Sequence, residues 1–194
     1  MEAFLTSIAV VALAEIGDKT QLLAIVLTAR FKQPLAIIAG IFAATIANHF
    51  LAALIGAQAA SLLDGPGFRL VIAASFIAMA AWTLIPDKLD HDPQPKPARF
   101  GVFFATLIAF FLVEMGDKTQ IATAALGAGF NQIIAVTMGT TIGMMIANVP
   151  AVLLGNELLK RVPLNTVRWI AAGMFLLIGI WLLVETVRQT GAAG

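Results

Sequence analysis

The sequence predicts an all-α integral membrane protein: six transmembrane helices in two inverted three-helix repeats. Composition is the first reason. The 194 residues are 60% hydrophobic and 12% charged, against roughly 45–50% and ~25% in an ordinary soluble domain. The second is spacing, because apolar runs long enough for a bilayer recur six times along the chain. The third is a charged string that occurs twice inside such runs. Glu15-Ile16-Gly17-Asp18-Lys19-Thr20-Gln21 returns 99 positions later as Glu114-Met115-Gly116-Asp117-Lys118-Thr119-Gln120.

Taken in order, the apolar runs place helices at about 3–29, 34–61, 68–86, 100–128, 132–158 and 166–188. Glu2 precedes the first run and no basic residue does, so the run lacks the positive flank of a cleaved signal peptide and is expected to stay in the membrane. Between the third and fourth runs lie residues 87–99. Their three prolines and seven charged or titratable groups predict a solvated, partly extended linker. It divides the chain into repeat one (1–86) and repeat two (100–194), each with three helices and one copy of the charged string.

The offset of 99 extends well beyond the string. Phe31 maps onto Phe130, Gln33 onto Gln132, Gly40 onto Gly139, Gly56 onto Gly155, Arg69 onto Arg168, Phe76 onto Phe175 and Trp82 onto Trp181. Matches at Gly, Gln, Arg and Trp carry weight where matches at Ala and Leu would not. Three spans per repeat is an odd number, so the second repeat enters the membrane from the opposite face. Charge agrees. Arg30, Lys32, Lys88, Lys96, Arg99, Lys160, Arg161 and Arg168 fall on one side, and only Arg69 and Arg188 on the other. The positive-inside rule then puts the linker in the cytoplasm and both termini outside.

Ionisable groups at membrane depth are costly and by default mark ion or proton pathways. On a helix, Glu15 and Asp18 would share a face, as would Glu114 and Asp117. Gly17 and Gly116 lie inside each pair and predict an unwound or kinked helix there. Four carboxylates, with the amide oxygens of Gln21 and Gln120, would give an all-oxygen site suited to Ca²⁺, Mn²⁺ or Mg²⁺ rather than Cu or Zn. Thr20 and Thr119 offer hydroxyl oxygens. Carboxylates so crowded need a cation or protons between them, so competition between metal and protons would make an exchanger. Lys19 and Lys118 are read as charge compensation, or as side chains reaching for the interface, rather than as cation contacts. Ion pairs that merely glue the bundle are the structural alternative. Two symmetry-related copies in a chain this poor in charge favour function.

Asn48, His49 and Asn148 are weaker candidates at comparable depth, as auxiliary ligands or, for His49, a proton acceptor. Interhelical hydrogen bonding competes with that reading and is slightly favoured for His49. Gly40, Ala44, Gly139 and Gly143 have the spacing of close helix packing, and Thr140 and Thr141 are placed to bond their own helix backbone. Asp87, Asp90, His91 and Asp92 read as solvated loop. The absence of cysteine excludes disulfides and thiol chemistry. No phosphate-binding loop, Gly-x-Ser-x-Gly or His-Glu-x-x-His string supports ATP-driven pumping or hydrolysis, so the chain is not expected to be an enzyme or to hold a cofactor.

At Glu-φ-Gly-Asp-Lys-Thr, present twice with Ile16 and Met115 at φ, the sequence resembles the Gdt family of manganese/calcium transporters. The resemblance covers essentially the whole chain. It implies exchange of Mn²⁺ or Ca²⁺ for protons, with Glu15, Asp18, Glu114 and Asp117 at the cation site. The short linker and missing targeting extension resemble a prokaryotic member, in which Mn²⁺ export across the inner (plasma) membrane is the expected role. The expected partners are then the lipid bilayer, divalent cations and protons, with no nucleic acid. A passive divalent-cation channel and an exporter of small organic solutes remain the alternatives.

Overall fold

A computed structural model describes residues 1–63, 65–85, 101–155, 157 and 163–191, which puts the linker at 87–99 outside the described residues. Its described elements are helices: α1 (Glu2–Glu15), α2 (Lys19–Phe31), α3 (Pro34–Leu62), α4 (Pro66–Thr83), α5 (Gly101–Glu114), α6 (Lys118–Phe130), α7 (Ile133–Leu154) and α8 (Leu164–Gly191). The chain is a multi-pass membrane protein. Four helices, α3, α4, α7 and α8, are long and apolar enough to cross a bilayer, and α5 is a shorter apolar helix.

The first and fourth predicted helices are each broken in two. The break falls at the charged string both times, where Gly17 (φ 84°) and Gly116 (φ 77°) take left-handed backbone that glycine adopts without penalty. Glu15 therefore ends α1 and Asp18 caps the start of α2, instead of both lying on one continuous helical face. The same correction applies to Glu114 and Asp117 at the junction of α5 and α6.

Sharp local signals set the other boundaries. Lys32 and Asn131 close α2 and α6 in left-handed conformation, with their N–H groups bonding Thr28 O and Gly127 O. Pro34 and Pro66 open α3 and α4 at the first turn, where a missing N–H costs nothing. Gly155 closes α7.

The two halves pack reciprocally. Gly139 on α7 faces Phe4 O and Ser7 on α1, while Gly40 on α3 faces Phe103 O and Thr106 on α5. Each contact is the other displaced by 99 residues. A Cβ on Gly139 would lie 2.5 Å from Phe4 O, and one on Gly143 would lie 2.7 Å from Ile8 O. Gly56 meets the backbone of Ala124 closely, and a Cβ on Gly127 would lie 2.5 Å from Ala53 O. The small residues thus let backbone reach backbone, as expected from their spacing.

Helices α4 and α8 pack together, with Phe76 and Phe175 buried at 6.2 Å between ring centroids. The outer face of α8 exposes Trp169, Leu177 and Trp181, as a lipid-facing surface requires. Thr140 does bond its own helix, donating to Val136 O at 2.9 Å, whereas the buried Thr141 hydroxyl, expected to do the same, has no hydrogen-bond partner among the described residues.

Enlarging a backbone-contact glycine should separate helices. Gly139→Val is expected to cost about 1–3 kcal/mol through overpacking and to lower the thermal midpoint in detergent. Gly173→Ala, where a Cβ meets nothing within 4 Å, should leave the midpoint unchanged or raise it.

Candidate cation site

The two breaks meet at the centre of the bundle. Glu15 and Glu114 are fully buried, Asp18 and Asp117 nearly so, and around them Thr20, Thr119, Gln21, Asn48, His49, Asn148 and Lys118 are buried too. One oxygen each from Glu15, Glu114 and Asp117 lies within 4.8 Å of the other two. Two oxygens on opposite sides of an ion coordinated at about 2.3–2.6 Å stand about 4.6–5.2 Å apart. Carboxylates from both halves are therefore within reach of a single hard cation. Asp18 is not one of this trio.

Each break is held open by its own glutamine. Gln21 Oε1 accepts from Gly17 N at 2.8 Å, and Gln120 Oε1 accepts from Gly116 N at 2.7 Å. The Gln21 and Gln120 oxygens are thus turned to the backbone rather than to the acid trio. Their amide nitrogens cross to the opposite half, Gln21 Nε2 donating to Ala147 O at 2.8 Å and Gln120 Nε2 donating to Asn48 Oδ1. Positions 48 and 147 differ by 99, so the second helix of each half braces the broken helix of the other.

The next position in those helices touches the glutamates. Asn148 Nδ2 donates to Glu15 Oε1 at 3.3 Å, and His49 Nε2 lies 3.8 Å from Glu114 Oε2. Thr119 donates to Glu114 Oε2 at 3.0 Å, with Asp117 Oδ2 at 3.4 Å, whereas the Thr20 hydroxyl has no hydrogen-bond partner. Glu15 Oε2, Glu114 Oε1 and Asn148 Oδ1 are likewise buried without one. Burying such oxygens is expensive unless something else meets them.

The lysines are exchanged between halves. Lys19 Nζ lies 2.9 Å from Asp117 Oδ1, and Lys118 Nζ lies 3.7 Å from Asp18 Oδ1. Lys19 is 23% exposed and Lys118 only 4%, so neither simply reaches for the interface. The exchange was not legible in the sequence, where each lysine follows its own motif's aspartate. Only the packing of one half on the other produces it.

The surroundings are not symmetric. A Cβ on Gly17 would lie 2.9 Å from the Leu164 side chain of α8, while Gly116 has open space and Met115 is exposed. A separate cavity of about 640 Å³ lies between α4, α6 and α8, lined by residues including Arg69, Phe76, Leu126, Trp181 and Gln189. No motif residue lines it.

A buried trio of carboxylates from two related halves, inside apolar helices, is an arrangement suited to a cation at membrane depth. The family comparison agrees. A model described as "Divalent cation/proton antiporter GDT1" matches residues 3–91 and again 102–190. The chain belongs to that family, and it is a transporter rather than an enzyme. It is 49% identical over 181 residues to a Vibrio cholerae protein named "Putative manganese exporter", covering 93% of this chain and 90% of that one. It is 27% identical to GDT1-like protein 5 of Arabidopsis thaliana, covering 96% and 97% of the two chains. A GDT1-like protein of Synechocystis is 26% identical, at 93% and 96% coverage. No solved structure matches.

Removing a glutamine brace tests the built character of the site. Gln120→Ala should leave Gly116 N and Asn48 Oδ1 without their partner and cost about 1–3 kcal/mol of stability, read as a lower thermal midpoint in detergent.

Proposed function

We propose that the protein exports Mn²⁺, with Ca²⁺ as a further candidate substrate, across the plasma membrane of a prokaryote in exchange for protons. The observation that carries this reading is the convergence of Glu15, Glu114 and Asp117 oxygens within 4.8 Å in a fully buried setting. Asp18 completes the set from the first half. Oxygen-only donors suit a hard divalent ion, and the manganese-exporter name of the 49% identical relative supports Mn²⁺ as that ion. Carboxylates gathered this closely need either a cation or protons to offset their repulsion. Metal and protons then occupy the site in turn, and the exchange follows from that competition.

In this reading α1–α2 and α5–α6 are each one discontinuous span, giving six spans in two repeats of opposite orientation. At about 1.5 Å per residue, the 14-residue α1 is about 21 Å long, short of a hydrocarbon core of about 30 Å unless α2 continues it. Discontinuous helices meeting near the midplane are a recurrent design of secondary transporters. The termini lie outside and residues 87–99 face the cytoplasm, following the basic residues. Asn148, Thr119 and Thr20 serve as auxiliary oxygen donors, Asn148 and Thr119 also orient the glutamates, and His49 is a proton acceptor or auxiliary ligand beside Glu114.

Reconstitution tests the reading. Vesicles with a pH gradient should take up Mn²⁺ against its own gradient and discharge the proton gradient as they do so. Glu15→Gln and Glu114→Gln should each reduce uptake at least about 100-fold, in line with losses on removing a buried functional charge. Flux that ignores the pH gradient, or wild-type uptake by either variant, contradicts the proposal.

A further inference from the structure

We infer that Lys19 and Lys118 are tethered counter-cations, each holding the aspartate of the opposite half until a divalent ion displaces it. The inference rests on the cation-transport reading above and adds a role that the acid cluster alone does not supply. Three observations carry it.

The first is the crossing. Lys19 backbone N donates to Asp18 Oδ1 at 2.7 Å, capping α2, while its side chain leaves that motif for Asp117 at 2.9 Å. Lys118 crosses the other way to Asp18. A lysine that served only its own helix would have no reason to cross, and two related lysines cross in opposite directions. The second is burial. Lys118 is 3% exposed, and a charge so enclosed persists only with an opposite charge beside it. The third is the charge count. With four carboxylates and two ammonium groups charged, the site carries two negative charges in excess, which one divalent ion neutralises. A monovalent ion would leave one charge unmatched.

Competition follows from position. Asp117 belongs to the trio that can hold one ion, and its Oδ1 is the oxygen that Lys19 contacts. An arriving ion competes with Lys19 for the charge of the Asp117 carboxylate. When the ion departs, the Lys19 ammonium closes again on Asp117 from within the protein, at high effective concentration, while protons offset the carboxylate charge that remains. Binding is weakened and release is eased. Because each pair joins the two halves, loading the site also loosens two of their connections, which ties occupancy to relative movement of the halves. Lys19 and Lys118 are positioning residues in this scheme and touch aspartates rather than the ion.

The test separates this role from that of a structural staple. Mn²⁺ binding to the purified, full-length protein is titrated by the loss of the free-ion paramagnetic resonance signal, and Mn²⁺ flux is measured in vesicles. Lys19→Gln and Lys118→Gln are each expected to bind Mn²⁺ at least about tenfold more tightly and to transport with a lower KM and a lower kcat. Lys19→Arg keeps the charge and should stay within about threefold of wild type in both. A staple predicts weaker or unchanged binding with no fall in KM, and that result overturns the inference. Should Lys118→Gln not fold, the more exposed Lys19 decides the matter through Lys19→Gln. Wild-type protein that neither binds nor moves Mn²⁺ would sink the transport reading itself. Wild type that does both, with Lys19→Gln unchanged in affinity, would sink only the role given to the lysines.

Discussion

Mutual repulsion among acids gathered in an apolar interior is the constraint around which this protein is arranged. Charges away from water are tolerated only with partners, and at membrane depth the chain itself must supply them. The partners come from across the molecule: Lys19 to Asp117, Lys118 to Asp18, Asn148 to Glu15. Each half is therefore incomplete without the other. A single repeat would bury a glutamate and an aspartate without the cross-molecule partners they meet here.

The same constraint explains why two helices are broken. A continuous helix would consume its N–H groups internally and fix its carboxylates along one rigid face. At Gly17 and Gly116 the backbone turns through left-handed conformation, and Gln21 and Gln120 take up the N–H groups this frees. Those glutamines then extend to the opposite half at positions 147 and 48. The break, its brace and its anchor form one unit, repeated by the internal duplication. Close glycine packing between α1 and α7, and between α3 and α5, holds the two units at a distance where their acids can meet.

Much of this was legible in the chain. Apolar runs located the helices, the offset of 99 located the duplication, and glycine inside a charged string foretold the breaks. Composition also singled out the acids that the fold buries together, because so few charges lie within apolar runs. The direction of each side chain was harder to read. Glu15 and Asp18 look like neighbours on one helical face only while the helix is taken as continuous, and the turn at Gly17 removes that relation. Gln21 looked like an oxygen donor to a cation because nothing local reveals that Gly17 N needs an acceptor. The exchange of lysines depends on how α2 and α6 approach each other, a contact between residues about 99 apart that no local pattern encodes. His49 and Asn148 were linked by the offset alone, and their contacts with the glutamates of opposite halves show why both positions are polar.

The central claim is that the two halves together form one ion site, and binding stoichiometry tests it most directly. Equilibrium dialysis of the purified protein against Mn²⁺ should give one tightly held ion per chain. Neutralising either half alone, by Glu15→Gln or by Glu114→Gln, should abolish that ion altogether. Two ions per chain, with one surviving when either half is neutralised, would mean that each half holds its own, and the shared site would be wrong.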